Sequence, residues 1–208
     1  MVRPVWDLPL SPTGIELELD TGQHVRIRPI SAADRNGLLA AFDRFSPESR
    51  YFRFFSPTPV LGERLVEALT DIDDTTQLAW AVFDPALPSE VGDGSGLVIA
   101  SARLFIDEDD ATVAEATLAV VDDYQRRGLG RFLIELLVAT AADNDIETVR
   151  LEVLHQNRGM RALLSKLGAS AHRLPDDPSI IDYRLPVPEL PADALPAGAL
   201  YALLRRLM

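Results

Sequence analysis

The hexapeptide Gln125-Arg126-Arg127-Gly128-Leu129-Gly130 joins two patterns that together decide the fold. Before it, residues 113–121 form a long apolar run, which is typical of a buried strand. After it, apolar or small residues recur at helical spacing, namely at Leu129, Phe132, Leu133, Leu136, Leu137 and Thr140. A strand, a glycine turn and a helix in this order predict an α/β unit.

The two glycines of this turn predict a site for an anion. They let the backbone approach a ligand closely, and the free N–H groups of the first helical turn attract negative charge together with the helix dipole. Arg126, Arg127 and Arg131 add positive charge in an otherwise acidic chain. We interpret the segment as a cradle for a diphosphate.

Two other phosphate motifs do not fit this segment. A P-loop requires lysine and then serine or threonine after its last glycine, whereas Arg131-Phe132 follows Gly130. A dinucleotide fingerprint requires a third glycine at position 133, which is Leu133. Taken on its letters alone, the segment also fits a plain strand-to-helix turn whose arginines face solvent.

The patterns on either side of the turn predict one mixed α/β sheet flanked by helices. Residues 15–28 are typical of a hairpin, because two alternating segments surround the turn Asp20-Thr21-Gly22-Gln23. Capping residues, prolines and helical spacing predict helices at 32–44, from Ser46 onward, at 61–70 and at 158–167. Further strands are predicted at 78–83, 97–106, 149–153 and 180–185. The order strand, helix, strand, helix across 113–168 predicts a parallel strand pair.

The chain divides into three predicted parts. Residues 1–14 form an N-terminal tail, residues 15–185 one α/β domain, and residues 186–208 a proline-rich linker followed by a short amphipathic helix. This last helix packs either on the same chain or on a partner, which leaves a homodimer open. Residues 1–7 lack the apolar stretch of a signal peptide, and no run reaches the roughly 18 apolar residues that span a bilayer. We therefore expect a cytoplasmic protein that does not enter a membrane.

The amino-acid composition limits the kinds of partner that we expect the chain to bind. The net charge of −12 disfavours nucleic acid, because proteins that read it carry a basic surface. An acidic surface suits a cationic partner, such as a lysine-bearing protein or a small amine, although such a charge also serves solubility alone. The chain has no cysteine and its three histidines are too scattered for a zinc site, so we expect neither a cysteine nucleophile nor a metal.

The pattern Gln/Arg-x-x-Gly-x-Gly/Ala after an apolar strand resembles the cofactor-binding motif of the GNAT N-acyltransferase family. The resemblance continues through the next strand to Asn157 and to a helix ending at Lys166-x-Gly168. Residues 25–30 are similar to the opening strand of such domains, and residues 46–55 to a segment of bacterial protein-lysine acetyltransferases. Some of those enzymes carry a fused cyclic-nucleotide-binding or acyl-CoA-synthetase-like module. The resemblance covers residues 15–185 and leaves no room for such a module, so we expect any regulation of that kind to be absent or to come from another chain.

The resemblance implies a GNAT fold, acetyl-CoA as the cofactor and roles for the matching residues. Backbone groups of Leu118, Val120 and Val121 would bind the pantetheine arm of coenzyme A. The loop from Gln125, through the N–H groups of Arg126, Arg127, Gly128, Leu129, Gly130 and Arg131, would hold its pyrophosphate. Asn157 would contact the pantetheine or the adenosine, although its residue type also fits an N-cap, and both roles are compatible.

Acyl transfer to an amine requires a base, because a lysine with a pKa near 10.4 is protonated at neutral pH. Glu115 is the candidate, since it interrupts the apolar run and lies three residues, about 10 Å, before Leu118. Related bacterial protein acetyltransferases carry a glutamate at the matching position, where it serves as general base. The alternative is a glutamate that faces water near the acidic turn 107–110.

One position departs from the family pattern. Many GNAT enzymes carry a tyrosine seven residues after the asparagine, as acid for the leaving thiolate, and that residue is Leu164 here. Tyr124 cannot be assigned to this role, so water is left as the acid for a thiolate whose pKa lies near 8.5. His155, just past the strand at 148–154, is an alternative base, although a histidine in such a place more often has a structural role.

The predicted activity is direct transfer of an acetyl group from acetyl-CoA to a primary amine, with a protein lysine as the favoured acceptor. Two alternatives stay open at the level of sequence. One is a domain that binds acyl-CoA without catalysis, which the missing tyrosine favours and Glu115 argues against. The other is an acetyltransferase for a small-molecule amine, which the sequence does not distinguish from a protein acetyltransferase.

Overall fold

A computed structural model describes residues 10–11, 14–19, 21–56, 62–89, 96–189 and 201. Within these ranges the strands are β1 (Leu10–Ser11), β2 (Gly14–Glu18), β3 (His24–Pro29), β4 (Gln77–Asp84), β5 (Leu97–Ile106), β6 (Val113–Val120), β7 (Thr148–Leu154), β8 (Ser170–Arg173) and β9 (Ile180–Pro186). The helices are α1 (Arg35–Asp43), α2 (Pro47–Phe54), α3 (Glu63–Thr70), α4 (Leu129–Ala142) and α5 (Arg158–Lys166).

The nine strands of the described ranges form one mixed sheet in the order β1-β2-β3-β4-β5-β6-β7-β9-β8. Neighbouring strands are antiparallel except for β6 and β7, which are parallel. The parallel pair is the one that the strand–helix–strand order around the glycine turn predicted. The expected α/β class with a mixed sheet is therefore confirmed.

Local patterns account for most of these elements. The predicted hairpin is formed by β2 and β3, where Ile15 lies opposite Ile27 and both side chains are buried. The apolar run around Trp80 becomes β4, which is buried along its whole length. Ser46 caps α2 by accepting a hydrogen bond from the Ser49 N–H, and Pro47 occupies the first helical position.

Helices cover the two faces of the sheet differently. Successive residues of a strand point to opposite faces, so Thr117 and Leu118 mark the two faces of β6. On the first face, which we call the α2 face, Arg53 of α2 donates to Thr117 Oγ1 at 3.2 Å. On the second face, which we call the α4 face, strand pairing aligns Leu118 with Trp80. Trp80 Nε1 donates to Thr140 Oγ1 of α4 at 3.1 Å, so α4 covers this face. The cleft described below is built between these two layers.

The sheet extends further than the patterns predicted. Residues 10–11, within the predicted tail, form β1 against β2, and residues 170–173 form β8 against β9. All four residues of β8 are exposed, and the strand does not alternate between buried apolar and exposed polar residues. Its hydrophobic pattern therefore could not predict a strand. The predicted helix at 32–44 begins with a 3₁₀ turn at Ala32–Asp34 before α1.

Tyr201, the one described residue beyond position 189, is buried in the core. Its ring lies edge-on to Trp80, with the centroids 5.1 Å apart. Its hydroxyl accepts from the Ala79 N–H at 3.1 Å and donates to Asp74 Oδ1 at 2.8 Å. The helix predicted in the tail otherwise lies outside the described residues. None of the helices in the described ranges is long and apolar enough to cross a membrane.

We expect Tyr201→Phe to destabilise the fold. The substitution keeps the ring against Trp80 but leaves the N–H of the buried Ala79 without its partner, which costs about 1–3 kcal/mol. Urea unfolding followed by circular dichroism measures the loss. Tyr51→Phe is the matched control, since no hydrogen bond of the Tyr51 hydroxyl occurs within the described residues. Equal stability of both variants would contradict the stabilising role of the Tyr201 hydroxyl.

Candidate active site

The central cleft exists because β6 and β7 stop pairing early. Their parallel ladder contains three residue pairs and ends at Glu115 opposite Arg150. Beyond that point β6 continues to pair with β5, and β7 with β9. The space between them is a cleft of about 1100 Å³, which is bordered by α2, by the start of α4 and by the start of α5.

The register of β6 tells which of its backbone groups face this cleft. Val121 donates its N–H to the Ile99 carbonyl, and Asp107 donates to the Val113 carbonyl. Since antiparallel pairs alternate between bonded and non-bonded positions, the odd-numbered residues of β6 bond β5. The N–H and C=O of Leu118 therefore point the other way, toward the cleft, beyond the last β6–β7 pair.

Of the other two predicted backbone positions, Val120 lies on the cleft and Val121 does not. The Val120 carbonyl faces the cleft and accepts a hydrogen bond from Gln125 Nε2 at 3.0 Å. The N–H of Val121 is used by Ile99, its carbonyl accepts from the Tyr124 N–H, and its side chain is buried. Of the three residues that sequence reasoning assigned to pantetheine, Leu118 and, in part, Val120 therefore present backbone groups to the cleft, and the contact with pantetheine stays a prediction.

The glycine loop has the geometry of an anion site. Gly128 precedes α4 with a φ of 89°, in the left-handed region that favours glycine. No side chain caps the helix, and its first internal hydrogen bond runs from the Phe132 N–H to the Gly128 carbonyl. The N–H groups of Leu129, Gly130 and Arg131 are consequently left to point out of the helix end.

The three arginines of the loop have different surroundings. Arg126 and Arg131 line the cleft, and Arg131 also forms an exposed ion pair with Glu135 at 2.8 Å. Arg127 turns away from the cleft instead. Its guanidinium lies over the Tyr124 ring, 5.2 Å from the centroid, and donates to Gln23 Oε1 at 2.9 Å. The side-chain charge available to a ligand therefore comes from Arg126 and Arg131.

A buried carboxylate holds the base of this loop. Asp84 is almost fully buried and accepts hydrogen bonds from Tyr124 Oη at 2.7 Å and from Gln23 Nε2 at 2.6 Å. Gln23 in turn receives Arg127, so the hairpin turn, β4 and the glycine loop are joined by one network. Burial and the hydrogen bond to Asp84 raise the pKa of Tyr124. Tyr124 is thus committed to the interior and does not line the cleft.

Helix α2 is fastened to the cleft by Asp122, which follows β6. This carboxylate accepts from the Ser46 N–H at 2.9 Å, from Ser46 Oγ at 2.6 Å and from Ser49 Oγ at 3.0 Å. Burial alone would raise the pKa of Asp122, but these hydrogen bonds outweigh it and lower the pKa. Gln125 completes the clamp by donating to Ser49 Oγ at 3.0 Å. Residues 46–55 thereby become one wall of the cleft.

The aromatic residues of α2 divide between packing and the cleft. Phe54 packs on Phe42 with centroids 5.6 Å apart, and with Phe52 and Phe55 it also borders the cleft. Arg53 lines the cleft as well. Arg50, in contrast, stacks on Phe42 at 4.4 Å and donates to a backbone carbonyl of α1.

Glu115 lies at the apex of the cleft, where the two strands part. Its side chain is exposed to the cleft, and no ion pair or hydrogen bond of its carboxylate occurs within the described residues. Partial desolvation and the neighbouring Glu152 carboxylate raise its pKa, while Arg150 and Arg53 oppose that rise. Glu115 pairs with β5 on one side and β7 on the other, so it does not belong to a sheet edge.

The charges around Glu115 on the α2 face are only partly balanced. Asp182 of β9 is buried between Arg150, at 3.2 Å, and Arg184, at 2.9 Å. Glu152 of β7 lies directly opposite Asp182 and lines the cleft, and it forms no ion pair within the described part of the chain. Two carboxylates, Glu115 and Glu152, therefore face the cleft without a paired cation.

The remaining predicted residues take these positions. Asn157 lines the cleft and caps α5, because its Oδ1 accepts from the Met160 N–H at 3.0 Å. Gly130 borders the cleft, whereas the Leu129 side chain is buried beneath it. Leu164 is buried in the core, and His155 is exposed outside the cleft. No group of three or more metal-ligating side chains was found among the described residues.

Sequence reasoning assigned no role to Glu152, Thr117 or Arg53, all of which line the cleft. The alternation of β7 could have indicated that Arg150 and Glu152 share a face. It could not indicate which face, because that depends on the pairing of Glu115 with Arg150. Arg53 reaches Thr117 only because α2 folds back across β6, a contact between residues 64 positions apart.

Both the sequence and the fold are similar to those of known proteins. A model of the acetyltransferase (GNAT) family matches residues 54–169. Acetyltransferase Pat of Mycolicibacterium smegmatis is 33% identical over 187 residues, which are 88% of this chain and 51% of that protein. The chain thus spans about half the length of this relative.

Two further relatives match most of their own length. Acetyltransferase PA5475 of Pseudomonas aeruginosa is 32% identical over 167 residues, which are 80% of this chain and 86% of that protein. The crystal structure of the GNAT domain of S. lividans PAT superposes with a TM-score of 0.72 and 26% identity, over 82% of this chain and 95% of that domain.

We expect Gly128→Asp to weaken binding of coenzyme A by at least about tenfold, because it places a negative charge among the donors of an anion site. Isothermal titration calorimetry with coenzyme A measures the change. Gly168→Asp is the matched control, since Gly168 also has a positive φ, of 86°, has nothing within 4 Å of its Cβ position and does not line the cleft. Unchanged affinity in Gly128→Asp would rule out the loop as the diphosphate site.

Proposed function

The chain belongs to the GNAT acetyltransferase family, and we propose that it transfers an acetyl group from acetyl-CoA to a primary amine, with Glu115 as the general base. Acetyltransferases of this family use acetyl-CoA. The observation that carries the proposal is the meeting of three features in one cleft: the free backbone of Leu118, the uncapped start of α4 and the unpaired carboxylate of Glu115.

The chain's own groups divide the cofactor between them. The N–H groups at the start of α4 bind the pyrophosphate, helped by Arg126 and Arg131. The N–H and C=O of Leu118 pair with the amide groups of pantetheine, as a neighbouring strand would. Asn157 keeps its Oδ1 on the Met160 N–H and offers its side-chain nitrogen to the cleft.

Glu115 removes the proton from the amine as the amine nitrogen attacks the thioester. A carboxylate with a raised pKa is a stronger base than an ordinary glutamate, and its unpaired state leaves it free to accept a proton directly or through water. Attack forms the C–N bond and breaks the C–S bond. Since Leu164 and Tyr124 both point into the interior, water protonates the leaving thiolate, whose pKa near 8.5 makes it a good leaving group.

The acceptor is proposed to be a cationic amine, and specifically a protein lysine. Glu115 and Glu152 place two negative charges beside the cleft, so a protonated amine is attracted before it is deprotonated. Asp182 contributes less to the charge at the cleft, because it is ion-paired with Arg150 and Arg184. The named relatives are bacterial proteins, and we place the reaction in the bacterial cytoplasm.

We expect Glu115→Gln to abolish turnover while leaving acetyl-CoA binding intact. Loss of a general base lowers kcat by about 10²–10⁴-fold, whereas the pyrophosphate and pantetheine groups are unchanged. Transfer to lysine peptides is followed by mass spectrometry, and binding by calorimetry. Glu48→Gln serves as control, because Glu48 borders the same cleft on α2 but is remote from its apex. Full activity in Glu115→Gln would rule out Glu115 as the general base, whereas binding of acetyl-CoA without turnover in the wild-type protein would leave acyl-CoA binding as the function.

The pH profile should move in opposite directions when the neighbours of Glu115 are changed. The base acts when deprotonated, so kcat/KM rises with pH through the pKa of Glu115. Glu152 raises that pKa, so Glu152→Gln should shift the acid limb of the profile to lower pH. Arg53 lowers it, so Arg53→Gln should shift the limb to higher pH. Profiles of kcat/KM against pH for both variants give the test, and shifts in the same direction would contradict it.

A further inference from the structure

A small second cavity lies beside the cleft, on the α2 face of β5. Its volume is about 40 Å³, and its only polar lining residues among those described are Arg53, Ser101 and Arg103. The cavity and the cleft share four lining residues, namely Phe45, Arg53, Phe54 and Ala119. The cavity therefore adjoins the cleft across these residues, and we call it the arginine pocket.

Arg103 is an unusual residue to find at the bottom of such a pocket. It is 1% exposed, and its Nη2 donates to the Leu69 carbonyl at 2.6 Å. Its Nη1 has no hydrogen-bond partner within the described residues, and no carboxylate there lies within ion-pair distance of its guanidinium. An arginine does not lose its proton as a buried lysine can. A buried positive charge without a partner is costly, so the surroundings lack a group that the site requires.

The electrostatics of the neighbourhood agree with this interpretation. Burial, followed by the nearby charge of Arg53, lowers the pKa of Arg103 to about 9. Arg53 itself has Glu115 as a carboxylate neighbour, which partly offsets its desolvation. Arg103 has no such neighbour among the described residues. Two guanidinium groups therefore border one small cavity, and the deeper of them is uncompensated.

We propose that the arginine pocket binds a carboxylate group carried by one of the two reacting molecules. A carboxylate suits the pocket because it is planar, small and accepts hydrogen bonds from both Arg103 Nη1 and Arg53. A phosphate is bulkier and carries more charge than the apolar remainder of the lining would favour. The inference rests on the acyl transfer proposed above and specifies its substrates further.

The position of the pocket limits which molecules can reach it. Arg103 lies opposite Thr117, which is two residues, or about 7 Å, along β6 from Glu115. A carboxylate at the far end of a short acyl chain, or one on the acceptor a few bonds from its amine, spans this distance. In either case the chemistry is unchanged: the C–N bond forms, the C–S bond breaks, Glu115 takes the amine proton and the carboxylate stays intact.

The first arm of the experiment tests the acyl chain as source. Calorimetry compares binding of succinyl-CoA and butyryl-CoA, which have equal chain length and differ in the terminal carboxylate. If the acyl group fills the pocket, the wild-type protein binds succinyl-CoA at least about tenfold more tightly, as a charge-assisted hydrogen bond predicts. Arg103→Met, which keeps the volume and removes the charge, should lose this preference.

The second arm tests the acceptor as source. With acetyl-CoA as donor, kcat/KM is compared for N-α-acetyl-lysine and for its amide, which lacks the carboxylate. If the acceptor fills the pocket, the wild-type protein prefers the carboxylate by at least about tenfold, and Arg103→Met loses that preference. Arg103→Lys, which retains a positive charge, should recover part of it in whichever arm shows the effect.

Controls keep the result interpretable. Arg50→Met removes another arginine with an unpartnered nitrogen, Nε, and it should leave every preference unchanged, because Arg50 lines neither cavity and only its stacking partner Phe42 borders the arginine pocket. If Arg103→Met does not fold, as thermal melting would reveal, the wild-type comparison and Arg103→Lys still decide. No preference in either arm, or a preference that survives Arg103→Met, overturns the proposal. The first arm measures binding alone, so it still tests the arginine pocket if no amine is acetylated and the proposed function is wrong.

Discussion

The early end of pairing between β6 and β7 is the constraint on which the whole site depends. A parallel ladder of three residue pairs leaves Leu118 and Val120 with backbone N–H and C=O groups that β7 does not use. Buried backbone groups without partners are costly, so this part of the strand must face either water or a ligand that supplies amides of its own. The opening between the strands is therefore a gap in the sheet at which backbone hydrogen-bonding groups of β6 are not paired with another strand.

The two ends of this cleft carry opposite charge. In a chain with a net charge of −12, the start of α4 presents three helix N–H groups with Arg126 and Arg131, and so forms a local positive end. The apex carries Glu115 and Glu152, which form a negative end. Under the proposed function, this separation would draw an anionic cofactor and a cationic amine to opposite ends of one cleft, so that they meet where the strands part.

Short-range patterns predicted the parts of the structure that short-range forces build. The glycine turn, its helix, the hairpin around Gly22 and the cap of α2 each follow from neighbouring residues, and each was found as predicted. Features that depend on register or on distant contacts were beyond the sequence. The exposed strand β8 has no apolar alternation, and the orientation of Arg103 follows from the pairing of β5 with β6. Val121 looked like part of a cofactor edge until the register showed its N–H bonded to β5.

Arg127 shows why residue type alone does not assign a role at such a site. The glycine loop holds Arg126 at a φ of 58°, in the left-handed region that is costly for residues other than glycine, so the loop needs support to keep its shape. Arg127 supplies that support by stacking on Tyr124 and bonding Gln23, while Asp84 holds both of those residues from below. The charge nearest to the first glycine thus acts on the loop and not on the ligand. Because Gln23 lies in the turn between β2 and β3, the shape of the anion site is coupled to a hairpin about a hundred residues earlier in the chain, a dependence that only the folded structure makes visible.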